Sequence, residues 1–180
     1  MTMQTEIIIA GFGGQGVLFA GQMLSYAAMA AGKEVTWIPS YGPEMRGGTA
    51  NCTVVIADEE IGSPFVHNPE AAIVLNLPSL DKYEPLVKPG GLLLINESMI
   101  NRPAGRKDIR VVSMMGNELA EELGDRRLMN MLMLGALLAN THVLPMDVVE
   151  RTVKEHLPAR HQELLKLNYA ALHKGAEFIA

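Results

Sequence analysis

The chain has 180 residues, 48% of them apolar, a formal net charge of −5 and one cysteine, Cys52. That length suits one domain with a real core, and the apolar share excludes a disordered chain. A lone thiol excludes an internal disulfide, a cysteine zinc cage and an iron–sulfur cluster held by this chain by itself.

Charge is unevenly spread. The first 100 residues carry four cations (Lys33, Arg46, Lys82, Lys88) against ten carboxylates, so an anion bound there must rely on backbone amides. No basic stripe exists and aromatic residues are only 5%, which speaks against nucleic acid. The longest apolar run, from Leu128, is about 12 residues, short of the roughly 20 that a bilayer needs. The N-terminus lacks a basic segment, a long apolar core and a cleavage site, so no signal peptide is expected.

Residues 6–10, EIIIA, read as a buried strand. From Gln15 to Ala31 the apolar positions recur at helical spacing, and Ala20, Gly21, Ala27 and Ala28 let that helix press close to a sheet. Gly32 ends it. Residues 34–38, EVTWI, form a second strand, and strand–helix–strand is the building block of a parallel sheet. Two prolines and three glycines make residues 39–51 a structured loop. Strands follow at 51–57, 71–76, 91–96 and 108–114, with a short helix near 80–86. The direction of the 51–57 strand stays open.

The last third is helical. The run LMNMLMLGALLA is apolar on every side, so it belongs inside, and its methionines read as core. Pro145 opens a helix with Val148, Val149 and Val153 inward; Pro158 opens another with Leu165, Tyr169 and Leu172 on one face. The whole is an α/β fold: one domain over residues 1–180, a mostly parallel central sheet flanked by helices, and a helical C-terminal segment.

In open parallel sheets ligands sit beyond the carboxyl ends of the strands. The segments leaving those ends are GFGGQG, SYGPEMRGG, NLPS (76–79) and NES (96–98). Gly11, Gly13 and Gly16 satisfy G-x-G-x-x-G between a strand and a helix, where a helix N-terminus offers free N–H groups to an anion. A nicotinamide or flavin site also needs an acid at the end of the second strand, and WIPSYG has none there. No Lys-Ser or Lys-Thr follows the glycines, so this is not a Walker loop. The alternative is that the glycines only allow close packing. Gln15, in the first helical turn, is placed to reach a ligand or a partner. Arg46, flanked by Gly47 and Gly48, reads either as an anion contact or as a solvated surface arginine. The five histidines show no metal spacing, Cys52 reads as a buried thiol, and no serine has a nucleophile setting.

The stretch GFGGQGVLFAGQMLSYAAMAAGKEVTWIPSYGPEMRGGTANCTVVIADEEIGSP resembles the gamma-type subunit of the 2-oxoacid:ferredoxin oxidoreductases. So do VLNLPSLDKYEPLVKPGGLLLIN and NMLMLGALLA, and the likeness spans nearly the whole chain. It is closest to the 2-oxoglutarate branch; the pyruvate, branched-chain and indolepyruvate branches are near relatives. The resemblance implies a Rossmann-like domain in a cytoplasmic hetero-oligomer. That enzyme turns a 2-oxoacid and coenzyme A into acyl-CoA, carbon dioxide and reduced ferredoxin. Alpha-type and beta-type subunits, with a ferredoxin-like subunit, would carry thiamine diphosphate, magnesium and the iron–sulfur clusters. This chain would hold no catalytic residue and no metal ligand. It would form the coenzyme A side, with Gly13, Gly14, Gln15 and Gly16 offering amides to a phosphate and Arg46, Gly47 and Gly48 beside them. A purely structural assembly role and a free-standing dinucleotide oxidoreductase are the competing readings.

Overall fold

The computed structural model describes residues 3–43 and 47–180. Strand β1 (Gln4–Phe12) lies in the middle of a six-stranded sheet because it is apolar on both faces: Ile7 and Ile9 are buried on one, Ile8 and Ala10 on the other. Beside it run β4 (Ala71–Val74), β5 (Leu92–Asn96) and β6 (Arg110–Met114), all parallel to β1. On its other side lie β3 (Thr49–Ala57) and then β2 (Glu34–Tyr41), giving the order β2-β3-β1-β4-β5-β6.

The expected strand–helix–strand unit is therefore split. β1, helix α1 (Val17–Ala30) and β2 follow in sequence, but β3 lies between the two strands and runs antiparallel to both. Residues 39–51 are also not all loop. β2 continues through Pro39 to Tyr41, and β3 begins at Thr49. Proline is tolerated there because β2 is the edge of the sheet, where a missing N–H removes no bond to a further strand.

One face carries α1, whose Ala20, Ala27 and Ala28 are buried flush against the strands. The same face carries α4 (Met129–Thr141), whose residues Met131 to Leu134, Ala136 and Leu137 are fully buried. Over α4 lies α6 (Leu165–Ala176), and α5 (Met146–His156) packs on α1 with Val149 and Val153 inward. Pro158 opens a 3-10 stretch (Ala159–Leu164), with α6 starting only after it. The other face is covered by α2 (Leu77–Tyr83), which begins three residues earlier than expected because Asn76 caps it by accepting from Ser79 N at 2.9 Å. Helix α3 (Gly116–Glu122) has no counterpart among the expected elements.

Candidate functional site

The glycine turn joins the end of β1 to α1. Gly14 and Gly16 take positive φ values of 98° and 76°, and Gly16 is the residue that caps α1, with no side chain bonded to the helix end. Gly13 N donates to Gly48 O at 2.8 Å, and Gly47 N donates to Gly13 O at 3.4 Å. Gly13, Gly47 and Gly48 thus bind one another and tie the turn to the β2–β3 hairpin. Gln15 faces inward: its Oε1 accepts from Phe12 N at 2.6 Å and its Nε2 donates to Leu75 O at 3.3 Å. Its side-chain amide braces the turn against the end of β4. Arg46 lies outside the described residues.

Beyond the turn opens a cleft of about 590 Å³. Gly14, Gln15, Gly16 and Phe19 line it, as do Leu128, Met129 and Asn130 at the start of α4, where Asn130 Nδ2 donates to Gly16 O at 3.2 Å. Leu157, Pro158 and Leu164 close it with apolar surface. Arg126, Arg127, Arg160 and His161 line it as well, and no carboxylate does among the described residues. Asp125 holds Arg127 from outside at 2.6 Å, and Glu121 holds Arg126 at 2.8 Å. The hydrogen bond from Arg127 also keeps the Asp125 carboxyl below the usual range. Arg160 Nε lies 3.3 Å from His161 Nε2.

These cations were missed from the sequence because their link to the glycine turn is long-range. The available signal was the Arg-Arg pair just ahead of the buried helix. The other strand ends contribute less than expected. Asn96 is fully buried, accepts from Gly116 N at 3.1 Å and donates to Asn117 Oδ1 at 3.3 Å; of that cluster Asn117 reaches the cleft. Ser98 is paired with Glu118 and accepts from Asn117 N at 3.0 Å.

Two chemistries fit poorly. A dinucleotide of the usual kind spans from the glycine turn to the end of an adjacent second strand, but here β3 intervenes and sets β2 about 10 Å from β1. Cys52 is fully buried, and burial pushes its thiol up to about 12, so it is no nucleophile. Among the described residues no group of three or more His, Cys, Asp or Glu is arranged to hold a metal. What the cleft offers is main-chain N–H groups, guanidinium charge and apolar wall, which together suit an anionic ligand with an apolar portion.

The profile of the pyruvate ferredoxin/flavodoxin oxidoreductase family matches residues 6–178. The chain is 36% identical to ketoisovalerate oxidoreductase subunit VorA of Methanothermobacter thermautotrophicus, over 97% of this chain and 36% of that protein. It thus spans about a third of that longer relative. It is 34% identical to 2-oxoglutarate synthase subunit KorC of Methanocaldococcus jannaschii, over 97% of this chain and 94% of that protein. Among solved structures, the gamma subunit of keto/oxoacid ferredoxin oxidoreductase from Geobacter sulfurreducens superposes with a TM-score of 0.83 at 30% identity. That match covers 97% of this chain and 95% of that one.

Proposed function

Since the chain belongs to the pyruvate ferredoxin/flavodoxin oxidoreductase family, we propose that it is the gamma-type subunit of a 2-oxoacid:ferredoxin oxidoreductase and forms the coenzyme A side of its active site. The near full-length match to a 2-oxoglutarate synthase subunit supports 2-oxoglutarate as the substrate. The observation that carries the coenzyme A role is a cleft lined by arginines and by no described carboxylate, at the N-terminus of α1, which bears no side-chain cap. Coenzyme A is a polyanion with a long uncharged arm, and the cleft pairs cations with apolar wall. Gly14, Gln15 and Gly16 line the cleft itself; Gly13, Gly47, Gly48 and the Gln15 amide hold the turn; Arg46 is proposed as a further anion contact.

Thiamine diphosphate, magnesium and iron–sulfur clusters are assigned to alpha-type, beta-type and ferredoxin-like partner chains. Clusters need several thiolates, and one buried cysteine does not fit them. On the partners these groups would supply decarboxylation and electron transfer; this chain would bind and orient the acyl acceptor. A cytoplasmic location goes with this reading, and no described helix is long and apolar enough to cross a membrane.

The test is a tagged copy purified from its native cell. It should bring down larger chains with iron and thiamine diphosphate, and the assembly should oxidise 2-oxoglutarate faster than pyruvate or ketoisovalerate. In that assembly Arg127→Ala and Arg160→Ala should raise KM for coenzyme A about tenfold with kcat little changed, the pattern of lost uniform binding. A chain that runs alone with bound NAD or FAD would overturn the proposal. The internal commitment of Gly13 and Gln15 favours one rival, a purely structural subunit. Under it the same variants would weaken assembly and leave the coenzyme A dependence unchanged.

A further inference from the structure

The 3-10 stretch Ala159–Leu164 lies between α5 and α6 and supplies one rim of the cleft. Its two ends are fixed. On one side His156, the last residue of α5, stacks on Tyr26 of α1 with ring centroids 4.2 Å apart, and Leu157 is buried. On the other, the buried Asn168 of α6 donates from Nδ2 to Leu164 O at 2.8 Å. Between those points the chain is bonded to itself: His161 N donates to Pro158 O and Gln162 Nε2 to Leu157 O, each at 2.8 Å. No hydrogen bond or ion pair joins residues 158–164 to a described residue outside 153–168. A six-residue 3-10 run is also long for that weakly bonded helix. A segment with so few ties to the body can move as a unit at little cost. Leu157 and Pro158, both extended with ψ of 125° and 141°, form the joint on the α5 side.

Charge gives that movement a direction. Arg160 and His161 ride on the segment, and Arg126 and Arg127 stand at the same cleft ahead of α4. The latter two are paired with Glu121 and Asp125, whereas Arg160 is exposed and pairs with no described carboxylate. Like charges on two rims hold them apart, and an anion between them draws them together. Asp125 attracts His161 and Glu163 attracts Arg127, but only through space, where salt screens the pull.

We infer that residues 158–164 are a hinged strap that swings between an open position, the one seen here, and a closed one over the cleft, and that a polyanion in the cleft favours the closed one. Closure carries Arg160 from solvent onto the ligand. A ligand shifts such an equilibrium only through contacts made in one state and not in the other, and Arg160 supplies that difference. The identity of the polyanion rests on the coenzyme A reading above; the hinge does not.

Spin labels on Ala159→Cys and Glu122→Cys in the full chain test this by pulsed electron paramagnetic resonance. Both positions are exposed and neither lines the cleft, while Cys52 is fully buried and stays unlabelled. The free chain should show a long and a short distance. Coenzyme A, the probe, should raise the ratio of short to long about tenfold, as expected when the closed state binds it about tenfold more tightly. Arg160→Ala should keep both distances and lose most of that shift. One narrow distance, the same with and without coenzyme A, would overturn the inference. If the labelled pair unfolds, hydrogen exchange of the native chain decides: amides 159–164 should exchange far faster than those of α5 and α6, and equal protection would overturn the strap. The coenzyme A reading fails separately. Two distances whose ratio coenzyme A leaves unchanged would keep the hinge and sink that reading. A single fixed distance beside a raised KM for coenzyme A in the assembled Arg127→Ala enzyme would do the reverse.

Discussion

Gly16 carries two demands on a single Cα. Its φ of 76° is left-handed, which costs an ordinary L-residue about 1–2 kcal/mol. A Cβ there would fall 2.8 Å from Asn130 Cγ and nearer still to the amide nitrogen that holds Gly16 O. Gly16→Ala should therefore lower the melting temperature by about 2–8 °C, at 2–4 °C per kcal/mol for a chain of this size, and calorimetry reads it directly. Glu84 makes a second residue-level case. Burial at 5% exposure opposes its charge, yet hydrogen bonds from Arg106 N, Arg102 Nη1 and Gly105 N outweigh it and keep the carboxyl below its ordinary 4.5. A carboxyl depressed in the folded state stabilises it above the unfolded value, and that stability drains away as pH falls from about 4.5 through the folded pKa. Urea midpoints measured from pH 7 to pH 3 should fall more steeply for the native chain than for Glu84→Gln; parallel curves would refute the assignment.

At the scale of elements, α4 and α6 cross with their backbones touching. A Cβ on Gly135 would lie 2.8 Å from the Leu172 carbonyl carbon, and one on Gly175 would lie 2.7 Å from that of Leu132, each closer still to the oxygen. In an exposed helix Gly→Ala gains about 1 kcal/mol. Here the obstacle is main chain, which cannot swing aside as a long side chain can, so overpacking of about 1–3 kcal/mol or more decides the sign. Gly175→Ala should lower the melting temperature, and a rise would show that the helices can separate freely. The apolar pattern of residues 128–139 made α4 legible as an inside helix, but nothing local marks which glycines touch another backbone. The same limit explains β3. Its residues read as a strand, whereas its direction depends on a hairpin whose tip, residues 39–51, reads as loop because Pro39 and the glycines look like breakers. Only the edge position of β2 makes that proline harmless.

Across the whole molecule, the glycine turn and its helix were readable because strand, turn and helix adjoin in sequence. The cleft was not, since most of the rest of its lining comes from residues 126–130 and 157–168, more than a hundred positions away from the turn. Arg46 looked like the partner of the turn because it was the arginine near it in sequence; the fold supplies three others from the far end of the chain. Stability and site therefore share the C-terminal segment. α4 is apolar on every side, with the sheet beneath it and α6 above, and Leu164 and Asn168 at the start of α6 line the cleft. Removing residues 165–180 would uncover the face of α4 around Leu132. At about 1.5–3 kcal/mol for each large side chain re-exposed, three or four of them approach the whole stability of a domain, about 5–15 kcal/mol. The shortened chain should melt without a cooperative transition and bind a hydrophobic dye. A sharp transition near the parent temperature would show instead that the sheet and α4 hold together without α6.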